Sequence, residues 1–349
     1  MTRPLRAAMA ACGGVCNLAI EGARLTRDFE IAAIQDPDPA ALARVGERLP
    51  EARRHTVFED LLAADIDFVI VNSPNHLHLP QVRAAAAAGK PCLVQKPIAP
   101  TLAEAAEMVR IAAAHGVKLG VTMFELSRPI HHQVKAMIAS GWLGRPVLVS
   151  AVGAHTGYLA TPPAPGDWRR DPAKVGGGAF IQLGVHHVNL AAWLLDREAV
   201  RASAAGARGL TVFEDETMLA TVEFADGVMA RFATSYAADL YAFAVIGDRG
   251  RIHLLPEHVV VRGPEPFRGE VFDYTEAGRE VAIPAAALAE RSRPLEAALE
   301  VHGRFARWIA RSEPYPCPGE RALHDMRVVE AVYRACRTGE AAGIEGEPR

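Results

Sequence analysis

The sequence lacks the features that mark nucleic-acid, membrane and disulfide-stapled proteins. Its 38 lysines and arginines are outnumbered by 41 aspartates and glutamates, for a net charge near −3. It has no basic run and no aromatic RNP-type motif, which argues against nucleic acid as a partner. The five cysteines, Cys12, Cys16, Cys92, Cys317 and Cys336, are odd in number and scattered, so a reducing, cytoplasmic compartment is expected in place of a disulfide framework. No second pair joins Cys12 and Cys16 to complete a zinc set, and no metal is expected. No segment has the length of an uninterrupted membrane span, and no internal repeat or low-complexity block appears. The remainder is a globular chain of 349 residues, half of them hydrophobic, long enough for about two domains with real cores.

The start of the chain, "MTRPLRAAMAACGGVCNLAIEGA", offers two arginines before an apolar run, as a secretory signal does. Gly13 and Gly14 interrupt that run and a βα pattern follows, so it reads as a buried strand, a glycine turn and a helix. Further strands are expected in "EIAAIQD", "FVIVNSP", "PCLVQKP" and "VKLGVTM", with helical stretches such as "AALARVGERL" and "LPQVRAAAAAG" between them and Gly89 as a helix stop. This alternation predicts an α/β domain over residues 1–123, a doubly wound parallel sheet. Ligands of such sheets gather at the carboxyl ends of the strands, where Gly13, Asp36, Ser73 and Lys96 fall.

Residues 124–349 change character. β-like runs, "VLVSAVGAH", "ETMLATVEF", "GVMARFATSY", "YAFAVIG" and "HVVVRG", are joined by short turns such as "ADG" and "DRG". They predict an α+β domain on a mostly antiparallel sheet. Two helical stretches, "LEAALEVHGRFARWIAR" and "RALHDMRVVEAVYRACRTG", close the chain.

Three stretches carry candidate chemistry. The turn "AACGGVC" keeps the middle glycine of G-x-G-x-x-G, with Ala11 and Cys16 in the outer positions. Asp36 follows about 20 residues on, where a carboxylate accepts the hydroxyls of an adenosine ribose and repels a 2′-phosphate. NAD is therefore expected over NADP, although Asp36 also reads as the start of the turn "DPDP". In "QKP", Lys96 stands at the end of a buried strand, where partial desolvation lowers an ammonium pKa; a satisfied rim lysine is the plainer reading. In "GGGAFIQLGVHHVN", Gly176 to Asn189, the glycines precede a helix on which Gln182, His186 and Asn189 share one face at spacings of four and three. His187 points elsewhere, the metal reading lacks further ligands, and the phosphate-loop reading lacks a following lysine and hydroxyl.

Taken together, the glycine turn, "IQDPDP", the block "FEDLLAADIDFVIVNSPNHLHLPQVRAAAAAGKPCLVQKPIAPTLAEAAEMV", "IASGWLGRPV", "WRRDPAKVGGGAFIQLGVHHVNLAAWLL", "FADGVMARF", "GDRGRIHL" and "VVEAVYRACRTG" resemble the Gfo/Idh/MocA oxidoreductases, the glucose–fructose oxidoreductase and inositol dehydrogenase group. The resemblance runs nearly end to end. It implies a Rossmann domain, a C-terminal domain on an open, mostly antiparallel sheet that supports a homo-oligomer, dimer or tetramer, and a last helix, about 321–338, that packs back on the first domain. It implies a cofactor site built from Cys12, Gly13, Gly14, Val15, Asp36, Ser73, Pro74, Asn75, His78, Gln95 and Lys96. It gives catalytic roles to Lys96, His186 and Gln182, and substrate contacts to Arg128, Trp168, Arg169 and Asn189. Ala11, Cys16, Gln95 and Gln182 depart from the commoner residues of that pattern, and Gln182 stands where an acid is usual.

The implied reaction is reversible hydride transfer between a secondary alcohol carbon of a polyol, sugar or cyclitol and a nicotinamide. His186 is expected as the base and Lys96 as the partner of the reacting oxygen, with Gln182 orienting without charge. Two other classes fit the same resemblance: a redox-neutral glycosidase that keeps its NAD, and a cofactor-sensing binding protein without chemistry.

Overall fold

The computed structural model describes residues 3–344. Contacts divide the chain into two compact units. One holds the chain up to Phe124 together with Leu295–Leu323; the other holds Glu125–Pro294 together with the chain from His324 onward.

In the first unit the apolar runs become β1 (Leu5–Ala10), β2 (Phe29–Gln35), β3 (Arg53–His55), β4 (Phe68–Val71), β5 (Cys92–Val94) and β6 (Leu119–Val121). All pair in parallel, in the order β3-β2-β1-β4-β5-β6. β4, "FVIV", is buried at every residue, as a strand covered on both faces must be. The order reverses between β1 and β4, so the crevice of a doubly wound sheet lies at their carboxyl ends. The apolar N-terminal run is β1, followed by the helix Cys16–Thr26. β3 was not expected: three polar residues on the sheet edge carry no apolar period to read.

The second unit is built on nine strands: β7 (Pro146–Ala154), β8 (Ala199–Ala207), β9 (Thr217–Phe224), β10 (Met229–Ser235), β11 (Leu240–Gly247), β12 (Arg251–Leu254), β13 (His258–Arg262), β14 (Val281–Pro284) and β15 (Ala342–Gly343). Their order is β14-β13-β12-β11-β7-β10-β9-β8-β15. Neighbours are antiparallel except β7 and β10, which run parallel. The helix Val185–Leu195 lies on β7 and β10, and the helix Pro129–Ala139 packs on it in turn. Covered on both sides, it is apolar nearly all round.

The two closing helices group as follows. The helix that groups with the first unit is the earlier one, Pro294–Arg311, from Leu295 onward. There Phe305 packs on Phe68 and Arg307 pairs with Asp28. The last helix runs Gly319–Thr338, and from His324 on it belongs to the second unit. There Asp325 and Tyr333 meet hydrogen-bond partners in that unit, Asn189 and Asp215, and Met326, Val329 and Val332 are buried. No helix among the described residues is long and apolar enough to cross a membrane.

Candidate active site

At the end of β1 the chain turns through Ala11, whose φ of 69° lies in the left-handed region where a β-carbon is strained and glycine is at ease. The Ala11 amide still reaches the Gln35 carbonyl at 2.8 Å. Gly13 and Gly14 are exposed, and a β-carbon added to either meets nothing within 4 Å. Val15 opens the helix Cys16–Thr26, and no side chain caps it. An exposed turn leading into a helix N-terminus suits the pyrophosphate of a dinucleotide.

Asp36 is fixed from two sides. Its Oδ2 accepts the Cys12 N–H at 2.8 Å and its Oδ1 the Asp38 N–H at 2.9 Å. It therefore starts the turn and also leaves lone pairs on both oxygens for ribose hydroxyls. Arg44 donates to the Cys12 carbonyl at 2.8 Å. This cation beside the turn was missed, since nothing in "AALARVG" distinguishes it from a solvated helix arginine. Cys12 and Cys16 stay as thiols. Burial and then the Asp36 charge push Cys12 up to about 12, and burial raises Cys16.

Past β4, Ser73 donates to Gln81 Oε1 at 2.6 Å, Pro74 starts a short 3-10 turn, and Asn75 is buried in it. His78, expected among the cofactor contacts, is fully buried. Its ring nitrogens face the Ile98 and Ser73 carbonyls, each at 3.0 Å, and burial lowers its pKa. It ties two loops together and has no surface left for a ligand. Gln95 is likewise turned into the sheet. Its amide donates to Asn72 Oδ1 at 3.4 Å and accepts from Thr122 Oγ1 at 2.9 Å, so it braces β4, β5 and β6 in place of reaching a cofactor. Lys96, next along, keeps a partly accessible side chain at the carboxyl end of β5. Burial lowers its ammonium pKa from 10.5 to about 8.

In the second unit the short helix Pro172–Val175 ends at Gly176, φ 97°. After Gly177 and Gly178 a new helix starts, with a π segment, Phe180–Gly184, leading into Val185–Leu195. The Val185 amide bonds Phe180 O in the wide i→i+5 turn, a form frequent at functional sites. Gln182 lies in that turn and His186 just after it, and both are partly exposed. Asn189 departs from the expected face: it is buried and donates to Asp325 Oδ2 at 2.7 Å, so its amide is spent on a buried carboxylate and not on substrate. His187 packs against the Tyr241 and Phe243 rings, and burial lowers it to about 4.

The remaining candidates separate. Trp168 packs on the cluster of Val175, Ala179, Phe213 and Tyr236, beside Tyr158 and Leu183. Arg169 is exposed and grips Asp167 with two hydrogen bonds, 3.0 and 2.6 Å. Arg128 lies 3.3 Å from Glu125 Oε2 and lines a cavity of about 490 Å³ with Glu125, His131, Tyr241 and the apolar Leu254, Val259 and Leu288. Glu125, His131 and Tyr241 were not singled out from sequence; "FELSRPIHH" was the available signal. Among the described residues no group of three or more His, Cys, Asp or Glu could hold a metal ion.

Comparison with known proteins agrees with this geometry. Residues 5–123 match the model of an oxidoreductase family with an NAD-binding Rossmann fold, and residues 131–253 match the GFO/IDH/MocA C-terminal domain. The chain is 31% identical to the 1,5-anhydro-D-fructose reductase of Ensifer adhaerens, over 83% of this chain and 84% of that protein. It is 27% identical to an NADP-dependent D-xylose 1-dehydrogenase of Haloarcula marismortui, over 88% and 82%. In fold it is similar to the aldose–aldose oxidoreductase of Caulobacter crescentus, with TM-score 0.83 and 22% identity over 98% of this chain and 100% of that one. An NAD(P)-type Rossmann unit joined to that C-terminal domain makes this chain a member of the GFO/IDH/MocA oxidoreductase family.

Proposed function

We propose that the protein interconverts a secondary alcohol and a ketone on a sugar, cyclitol or sugar derivative, with NAD preferred over NADP. The observation that carries this reading is Lys96: an amine at the carboxyl end of β5, lowered by burial to about 8, is poised for acid–base work near neutral pH. Gly13, Gly14 and Val15 would hold the pyrophosphate, Asp36 the adenosine ribose, and Ser73 and Pro74 the nicotinamide side. When bound, the dinucleotide supplies a hydride acceptor. His186 removes the hydroxyl proton, Lys96 donates a hydrogen bond to the oxygen as charge develops on it, and Gln182 orients the substrate without adding charge. Because Gln182 carries no charge, carboxylate-bearing substrates are favoured, and Gln182→Asp lowers the ratio of acidic to neutral substrate turnover. Exposed Val200, Leu219, Met229 and Leu240 lie on β8 to β11 and support assembly as a homo-oligomer through this sheet, read by light scattering. Five free thiols suit the reducing cytoplasm.

The test is a screen of polyols, aldoses, sugar acids and inositols for nicotinamide reduction, with NAD and NADP compared. Lys96→Ala and His186→Ala should each lower kcat by about 10²–10⁴, and the double variant should lose less than the product of the two. Full activity in Lys96→Ala refutes the mechanism. Asp36→Ala should shift the preference towards NADP.

A further inference from the structure

The helix carrying Gln182 and His186 makes its first i→i+4 bond from the Gln182 amide to the Gly178 carbonyl, which leaves four N–H groups, those of Gly178, Ala179, Phe180 and Ile181, without intrahelical acceptors. Two residues distant in sequence take all four. Asp215 Oδ1 accepts Gly178 N–H at 2.6 Å, its Oδ2 accepts Phe180 N–H at 3.0 Å, and its own carbonyl accepts Ala179 N–H at 3.0 Å. The Tyr333 hydroxyl accepts Ile181 N–H at 3.2 Å and donates its proton to Asp215 Oδ2 at 2.8 Å. Asp215 is only 4% exposed. Burial, and then the Asp215 charge, hold the Tyr333 phenol well above its ordinary value, so it remains a donor.

A second tie lies further along. Asn189 donates to Asp325 at 2.7 Å, and Asp325 precedes Tyr333 by as many residues as Asn189 follows Ile181. The last helix therefore runs antiparallel to this one and holds it at Ile181 and again at Asn189, with Gln182 and His186 between the two ties.

We infer that Asp215 and Tyr333 are positioning residues for the reaction: they fix the start of this helix and so the direction in which Gln182 and His186 are presented. This rests on the reading of His186 as the base. Asp215 accepts three of the four N–H groups, two on its carboxylate and one on its backbone carbonyl, and a carboxylate suits the positive end of a helix, where charge-assisted bonds are strongest. Tyr333 closes the set without filling the space of a second charge.

The experiment uses the full chain and Tyr333→Phe, which keeps the ring and removes the hydroxyl, with Asp215→Asn as the stronger perturbation. The substrate is whichever compound of the screen gives NADH, and cofactor binding is read separately by NADH fluorescence. Tyr333→Phe should lower kcat about 10–100-fold, the scale of a misplaced catalytic group, with KM and NADH affinity changed by less than about threefold. Hydrogen exchange at Ile181 should quicken about tenfold in Tyr333→Phe as its tie is lost. Unchanged kcat in both variants while His186→Ala is inactive overturns the positioning role, as does unchanged exchange at Ile181. An active His186→Ala refutes the base assignment, and this role with it, and is distinguished because it is read in a different variant.

Discussion

Two glycine clusters, Cys12–Val15 in the first unit and Gly176–Gly178 in the second, look alike in sequence and are opposites in space. A β-carbon on Gly13 or Gly14 meets nothing within 4 Å, whereas one on Gly178 would stand 2.6 Å from both Asp215 Oδ1 and Phe213 Cβ. On Gly177, at φ 148°, it would run into the Tyr333 hydroxyl. The first cluster keeps space that the protein itself does not use, as a ligand-binding turn must. The second is small because the protein's own side chains crowd onto its backbone N–H groups. Glycine leaves a backbone approachable in both places; in the second Asp215 and Tyr333 fill that space, and in the first it stays open for the dinucleotide proposed above.

The contrast can be broken by substitution. Gly178→Ala should have the largest effect, a stability loss of about 3 kcal/mol from overpacking, read by denaturant unfolding, together with lost activity. An unchanged midpoint would show that the second cluster is as open as the first.

Charge distinguishes the open edge in another way. In the folded protein Lys96 falls to about 8 from an ordinary 10.5, so between those values the unfolded chain binds the extra proton and stability rises with pH. Below about 8 the full cost of holding a partly desolvated ammonium is present. Lys96→Met should therefore raise the melting temperature at pH 7, and the gain should shrink through pH 8 and vanish by about 10.5; a gain independent of pH would refute the shift.

Gly13→Ala should leave stability within about 0.5 kcal/mol, as at other open surface positions, yet weaken NADH binding about tenfold, since backbone must approach the pyrophosphate there. Equal NADH affinity would remove the ligand from the open cluster. The smallest effect belongs to Ala11. Relieving its left-handed strain by Ala11→Gly should stabilise by about 1 kcal/mol, measured by urea unfolding.

Much of this was legible from the chain. β1, β2, β4, β5 and β6 are apolar runs bounded by turns, and their alternation with helices forces a parallel sheet with Gly13, Asp36, Ser73 and Lys96 on its carboxyl edge. Short or small-residue strands were not legible: β3 is "RRH" and β8 is "AVRASAAGA", and neither has an apolar period. The site was legible by residue type and position, less so by contact. His78, Gln95 and Asn189 have polar groups that suit ligand binding, but each finds a partner inside its own unit.

The sequence by itself determined which residues lie at strand ends and helix starts, because hydrophobic period and turn chemistry are local properties. It also determined that Asp36 and Lys96 stand at the carboxyl ends of their strands. Only the tertiary structure decided which polar groups remain available and which are consumed. A buried donor or acceptor must be paired, and the partners come from far along the chain: Asp325 for Asn189, and Asp215 with Tyr333 for the amides that begin the His186 helix.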